Sequence, residues 1–196
     1  MFANRYTALV DACTLADALR RNLLLTLAEA EFFRVRWSTE ILDETERAIA
    51  RIATSKGLSD ADERGARARA SMERAFEEAR VEGFEELLGV TTGLPDRGDH
   101  HVLAAALKTQ AQTIVTENLR DFPAEILEPF GVEARCADDF IADTIALDIG
   151  RAVPAIRTMR ERFKLPAIEA ERLLRDMEAR GLVASAGVLA PHARSL

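Results

Sequence analysis

Asp96-Arg97-Gly98-Asp99-His100-His101-Val102-Leu103-Ala104-Ala105-Ala106 sets two carboxylates three residues apart, directly after a Gly93-Leu94-Pro95 turn. The Ala-rich apolar run that follows reads as a helix. Both acids therefore stand at a helix N-terminus and point towards one neighbourhood. Their local meaning is specific: Asp96 can be the N-cap and Asp99 the third helical residue that reciprocates it. Both also favour the positive end of the helix dipole. Asp96 can cap while Asp99 faces a ligand, so the two roles are compatible. His100 and His101 are further candidate ligands or phosphate contacts. A His at a helix start is more often a hydrogen-bonded rim residue, so neither is placed in the ligand set.

Working outward, acidic residues recur where strands end. Tyr6-Thr7-Ala8-Leu9-Val10 is a β-prone run closed by Asp11, and Ala12 to Arg20 then turns helical,. Open α/β sheets place ligands at the carboxyl ends of strands, but Asp11 equally suits the cap of the following helix. On the other side, the helix begun at Asp99 continues to about Gln112, and Thr113-Ile114-Val115-Thr116 reads as a buried strand. It runs into Glu117-Asn118-Leu119-Arg120-Asp121-Phe122-Pro123, where Asn118 and Thr116 are neutral hydrogen bonders suited to a turn,.

Between these segments lie Asn22 to Ala30 as an apolar helix, Phe33 to Trp37 as a half-exposed strand, and Glu40 to about Thr54 as a helix capped by Ser38 or Thr39,. Ile41, Leu42, Thr45, Ala48, Ile49 and Ile52 form the apolar stripe of that helix,. Glu44 and Glu46 lie at opposite edges of the stripe, and helical spacing does not choose which one reaches a cleft. Ser59 with Asp62 resembles a capping box for a helix from Asp60 to Arg80 with Met72, Ala75, Phe76 and Ala79 as its packing side,. Its interleaved Arg and Glu residues read as a solvated face, with Arg64, Arg67 or Arg69 as a remote option for phosphate contact. Gly83 to Pro95 reads as an irregular connection, Glu125 to Phe130 as a short helix stopped by Gly131, and Val132 to Arg135 as a last strand. Such helix–strand alternation predicts a parallel sheet with helices on both sides.

The final third changes character. Asp138 to Ile149, Val153 to Phe163 and Ala167 to Arg180 read as helices, punctuated by Pro154, Pro166 and Gly181. The division expected is a nuclease-like α/β unit over 1–135 and a helical extension over 136–196 that packs on it or on a partner. The stretch from Pro166 to Val188 also resembles a helix-and-wing pattern, but it offers few basic residues on one face, which favours packing or dimerisation.

The chain has 196 residues, 48% of them hydrophobic, enough for a sizeable core. Its apolar runs fall short of a membrane span, and no leader-like segment opens it, so a cytoplasmic protein with no membrane partner is the expectation. Cys13 and Cys136 form no CxxC pair, and two reduced, partly buried thiols are expected,. The net charge of −7 excludes a protein that grips nucleic acid by overall charge, but not one whose acids hold cations,.

Asp11, Asp99 and Asp121 or Asn118 fall at strand ends or helix starts, which lie along one edge of a parallel sheet. Carboxylates gathered so closely raise one another's pKa. A bound Mg2+ or Mn2+ resolves the repulsion, since hard oxygen ligands suit it and one or two carboxylates suffice. Such ions polarise a phosphodiester and activate water for its hydrolysis.

These residues resemble the PIN-domain ribonuclease family, and most of all its VapC-type bacterial toxins. The likeness rests on the strand ending in Asp11, the Trp37-Ser38 to Ile41-Leu42-Asp43-Glu44 helix, Asp99 to Ala106, and Thr116 to Pro123, in the family's order over about residues 5–135. It implies a three-layer α/β/α fold with a central parallel sheet and a C-terminal helical departure from the minimal pattern. It implies a Mg2+- or Mn2+-dependent endoribonuclease cutting structured RNA, often tRNA. The implied acidic quartet is Asp11, Glu44, Asp99 and Asp121, with metal at Asp11, Asp99 and Asp121 and with Asp96, Thr116 and Asn118 in support. A cognate antitoxin and a homodimer are implied as partners. The alternatives are a catalytically silent RNA- or partner-binding regulator of the same fold, and a related metal-dependent DNA nuclease.

Overall fold

Strands β1 (Thr7–Val10), β2 (Arg34–Ser38), β3 (Arg80–Val81), β4 (Thr113–Val115) and β5 (Glu133–Arg135) all run parallel, in the spatial order β3-β2-β1-β4-β5. The computed structural model describes residues 6–163 and 167–196. Pro166, expected as a helix break, and the first five residues lie outside the described residues.

The order explains the layers. From β1 the chain steps outward to β2 and β3, then crosses back to β4 and steps the other way to β5. Right-handed crossovers in opposite directions put their helices on opposite faces, which gives the three-layer α/β/α fold. Helices α1 (Ala12–Leu15) and α2 (Ala18–Glu29) join β1 to β2, α3 (Thr39–Ser55) and α4 (Ala61–Ala75) lead to β3, and α5 (His100–Lys108) lies against β1, β2 and β4. A short α6 (Ala124–Leu127) leads into a 3-10 turn and β5, with Gly131 in the left-handed region at φ 69° as the stop. The reversal falls between β1 and β4, where open sheets leave a crevice at the strand ends. Val10 pairs with Val115, so Asp11 and Thr116 leave the sheet side by side.

The apolar pattern is met by burial. Leu9, Trp37, Ile41, Leu103 and Ile114 are fully buried, and each such side chain contributes about 1.5–3 kcal/mol relative to exposure,. Beyond residue 136 come α7 (Ala137–Leu147), α8 (Ile149–Glu161), α9 (Ala170–Ala179) and α10 (Val183–Leu189). Helices α7 and α8 pack on α2, and Ile141, Ile156, Leu173 and Met177 join the same apolar cluster as the sheet. Polar ties reinforce this: Asp138 caps the start of α10 by accepting from the Ala184 and Ser185 N–H groups, each at 2.8 Å. Among the described residues no helix is long and apolar enough to cross a membrane.

Several local expectations are corrected. The helix expected to reach Arg80 ends at Ala75; Phe76 leaves the helical region at φ −138°, ψ 64°, and a 3-10 turn feeds β3, which pairs with Trp37 and Ser38. The Ser59/Asp62 capping box does not form, because Asp60 stands at the cap position without a side-chain cap bond. One helix from Ala12 to Arg20 is instead two, since Asp17 caps α2 through the Leu19 and Arg20 N–H groups, both at 3.0 Å. Pro154 lies inside α8, where Asp148 rather than the proline sets the start by accepting from Arg151 N at 3.1 Å. Ile52, expected on the buried stripe of α3, is exposed, and Ala53 takes the buried position.

Helices α3 and α4 approach closely at Gly65. A Cβ there would stand 2.6 Å from the Glu46 backbone carbonyl oxygen, and backbone cannot swing aside. Alanine's better helix propensity favours the variant by about 1 kcal/mol, but the overlap costs more. Gly65→Ala is expected to lower stability by a net ~1–2 kcal/mol, visible as a lower Tm. An unchanged or higher Tm would show that the contact gives way freely.

Candidate metal centre

The notch at the β1/β4 switch is built from four chain exits. Asp11 is buried at the end of β1 with both oxygens engaged. The Ala12 N–H donates to Oδ1 at 2.6 Å, and the Thr116 hydroxyl, from the end of β4, donates to Oδ2 at 2.8 Å. Asp11 is thus both helix cap and wall of the notch. The Cys13 thiol also donates to Asp11 Oδ2 at 3.1 Å. Burial, and then the Asp11 charge, push that thiol up to about 11, so it acts as a neutral donor rather than a nucleophile,. Both cysteines are free, and Cys13 belongs to the exposed surface although its Sγ turns inward.

Asp96 caps a 3-10 turn, Arg97–Asp99, by accepting from the Gly98 N–H at 2.7 Å. Asp99 does not reciprocate. It occupies the cap position of α5 with no side-chain cap bond, and its Oδ2 is buried without a hydrogen-bond partner. Asp121 ends a second 3-10 turn, Leu119–Asp121, and the Asn118 amide donates to its Oδ2. Carboxylate oxygens of Asp96, Asp99 and Asp121 lie within 4.8 Å of one another. Burial, and then the charges of Asp11, Asp121 and Asp96, push the Asp99 carboxyl up to about 6,. Arg120 makes only a long ion pair with Asp121, at 3.9 Å, and with 86% of its side chain exposed that pairing is screened by solvent,.

Glu44 stands apart from the three-carboxylate cluster, with its Oε1 3.4 Å from His101 Nε2, an ion-pair separation. Burial opposes the charged imidazole, but Glu44 and then Asp11 and Glu40 outweigh it and raise the His101 pKa. Glu46, the other edge of the stripe, turns to Arg69, which also holds Asp43. Arg64 and Arg67 bind Asp60 on the surface of α4.

Of the seven residues singled out from the sequence, Asp96, Asp99 and Asp121 meet directly. Asp11 stands beside them, tied in by Thr116 and by its charge on Asp99. Asn118 orients Asp121, and its own N–H donates to Thr116 Oγ1 at 3.1 Å. Glu44 reaches the notch only through His101. Glu117 turns away: its Oε1 accepts from the Ala137 N–H at 3.0 Å and so fixes the start of α7. Sequence reading weighed His101 as a ligand or phosphate contact and left it out of the set, and read Cys13 only as a reduced thiol. The partner that gives His101 its place, Glu44, is more than fifty residues distant, and the turn of the Cys13 thiol onto Asp11 is one that no pattern announces.

The profile described as "PIN domain" matches residues 7–120, more than half of the chain. The chain belongs to the PIN-domain family. A second profile, described as "VapC50 C-terminal domain", matches residues 137–191, the helices α7 to α10 that follow the PIN domain. The two in this order place it with VapC-type PIN proteins. A relative from Mycobacterium tuberculosis, described as "Putative ribonuclease VapC50", is 47% identical over 49 residues, which is 25% of this chain and 29% of that protein. The chain therefore aligns with less than a third of that relative's length. No solved structure matches the chain. In this PIN domain the oxygen-only character of the cluster and the orphaned Asp99 oxygen fit a hard divalent cation,.

Proposed function

We propose that the chain is a Mg2+- or Mn2+-dependent endoribonuclease and the toxin of a toxin–antitoxin pair, cleaving structured RNA such as tRNA. The observation that carries this is the convergence of Asp96, Asp99 and Asp121 within 4.8 Å, beside a buried Asp99 oxygen that has no hydrogen-bond partner among the described residues. Family membership and the relative's description as a ribonuclease support the substrate class.

Asp99 and Asp121, with Asp96 converging on the same point, would hold the ion. Asp11, the third ligand implied by the family likeness, stands beside them with its oxygens also accepting from the Ala12 N–H and Thr116. Such an ion, when bound, supplies charge stabilisation at a phosphodiester and activates water. The chain's residues prepare for it. Thr116 and the Ala12 N–H hold Asp11 in one rotamer, Asn118 aims Asp121, and the α5 N-terminus leaves Asp99 uncapped. Glu44, set apart from the three acids, stands 3.4 Å from the buried His101 Nε2 and favours the charged imidazole there. A cognate antitoxin would silence the notch, a homodimer is the expected assembly, and residues 136–196 act as an extension of the nuclease unit over 1–135.

Incubation of the purified chain with a tRNA pool in Mn2+ or Mg2+ is expected to give discrete fragments. These vanish in EDTA and in Asp11→Asn, and flapped DNA is cut far more slowly. Intact RNA under both metals, with no saturable Mn2+ binding by calorimetry, would instead identify a silent binding module.

A further inference from the structure

We infer that a basic cleft reached from the metal centre along α1 and α3 binds the phosphodiester backbone of RNA flanking the cut, a step that rests on the nuclease reading above. The cleft encloses about 350 Å³ between the α1–α2 junction, the C-terminal half of α3, α4 and the turn after α9. Arg21, Lys56, Arg64, Arg67 and Arg180 line it, against Asp17 alone among its lining acids. Asp60 bridges Arg64 and Arg67 from outside. The five cations exceed these two carboxylates by three, on a chain whose net charge is −7.

The cations are placed but not used up. Arg180 gives one nitrogen to Asp17 at 2.7 Å, Arg64 and Arg67 each give one to Asp60, and the half-buried Arg21 gives one to the Leu15 and Ala16 carbonyls. A guanidinium carries five N–H donors, so most remain free. Lys56 makes no ion pair among the described residues. Ile52 and Leu58, 40% and 39% exposed, give the cleft an apolar floor on which a ribose or base face can rest.

Position links the cleft to the notch. Helix α1 starts at Asp11 and its exit, Ala16 to Ala18, forms one wall. Helix α3 carries Glu44 near one end and Ile52 eight residues on, a rise of about 12 Å,. A polyanion bound at three carboxylates is repelled by them and by the chain's overall charge, so its affinity must come from a local positive surface. This cleft, whose wall begins at Ala16, five residues along the chain from Asp11, is such a surface. Arg180 comes from the helical extension, which thereby contributes a wall to the substrate path.

The test is anisotropy of a labelled single-stranded oligoribonucleotide in EDTA, where cleavage plays no part, over a range of salt. Lys56→Gln/Arg67→Gln is expected to raise Kd about five- to tenfold. It should also flatten the dependence of log Kd on log salt by about 1.4, or ~0.7 per lost contact. Arg157→Gln/Arg172→Gln, with the same charge change on α8 and α9, should bind as the wild type does. Wild-type Mn2+ affinity by calorimetry checks that the cleft variant is folded; if it is not, Lys56→Gln alone should flatten the slope by ~0.7. Identical Kd and slope in the cleft variant, or an equal loss in the control pair, would overturn the proposal. So would loss of polyglutamate binding with RNA binding intact, which would assign the cleft to an acidic protein segment. Failure of the nuclease reading shows separately, as absent cleavage by the wild type.

Discussion

Asp99→Asn is expected to abolish metal-dependent RNA cleavage while raising the Tm of the metal-free protein. The carboxylate is half-buried, one oxygen is unpartnered, and its neighbours Asp11, Asp121 and Asp96 are all acids. Asparagine keeps the shape, removes the repelling charge and removes a hard anionic donor. The loss in kcat should be on the order of 10²–10³ or more, as for other preorganised electrostatic groups. The gain in stability, discounted for solvent screening of a partly exposed group, should be on the order of 1 kcal/mol at neutral pH. The opposed signs matter, because a merely structural residue would lose stability and activity together. Calorimetric unfolding and tRNA cleavage on one preparation decide it, and retained cleavage with a lower Tm would remove Asp99 from the metal centre.

The second large effect is the pH dependence of stabilisation by Mn2+. The Asp99 carboxyl rises from its ordinary 3.8 to about 6 on folding. The folded chain therefore holds that proton more tightly than the unfolded chain. The associated stability is complete below about pH 4 and is lost as pH climbs through about 6. Above that point the ionised cluster needs a cation. The Tm increment from Mn2+ should be small at pH 5 and reach its plateau above about pH 7. At a metal concentration of 100 Kd the stabilisation is ~2.7 kcal/mol. EDTA should reverse both the increment and RNA cleavage. An increment that is flat between pH 5 and pH 7.5 would mean that the ion binds away from Asp99.

What the sequence disclosed and withheld follows from the range of the forces involved. Asp11 and Thr116 were legible because each ends a short β-prone run that a helix or turn interrupts at once, a local signal. The parallel sheet followed from alternation. Strand β3 was hidden: Arg80–Val81 is two residues long, follows a Glu- and Arg-rich helix, and exists only because Trp37 and Ser38 offer an edge. Asp17 was passed over as a cap because an apolar run continues through it. Helical spacing could not separate Glu44 from Glu46; their partners do, His101 in one case and Arg69 in the other. The role of Asp96 was underread for the opposite reason. Its local meaning as a cap was so complete that its approach to Asp121, twenty-five positions away, needed the folded chain to show it.

The hydroxyl that Thr116 extends to Asp11 joins neighbouring strands whose separation, about 4.8 Å, is a property of the hydrogen-bonded backbone and not of any side chain,. The gap between these two anchors is therefore ruled by the lattice of the sheet. Drift in the outer helices can reshape the surroundings of the notch, while the spacing of Asp11 and Thr116 keeps its gauge.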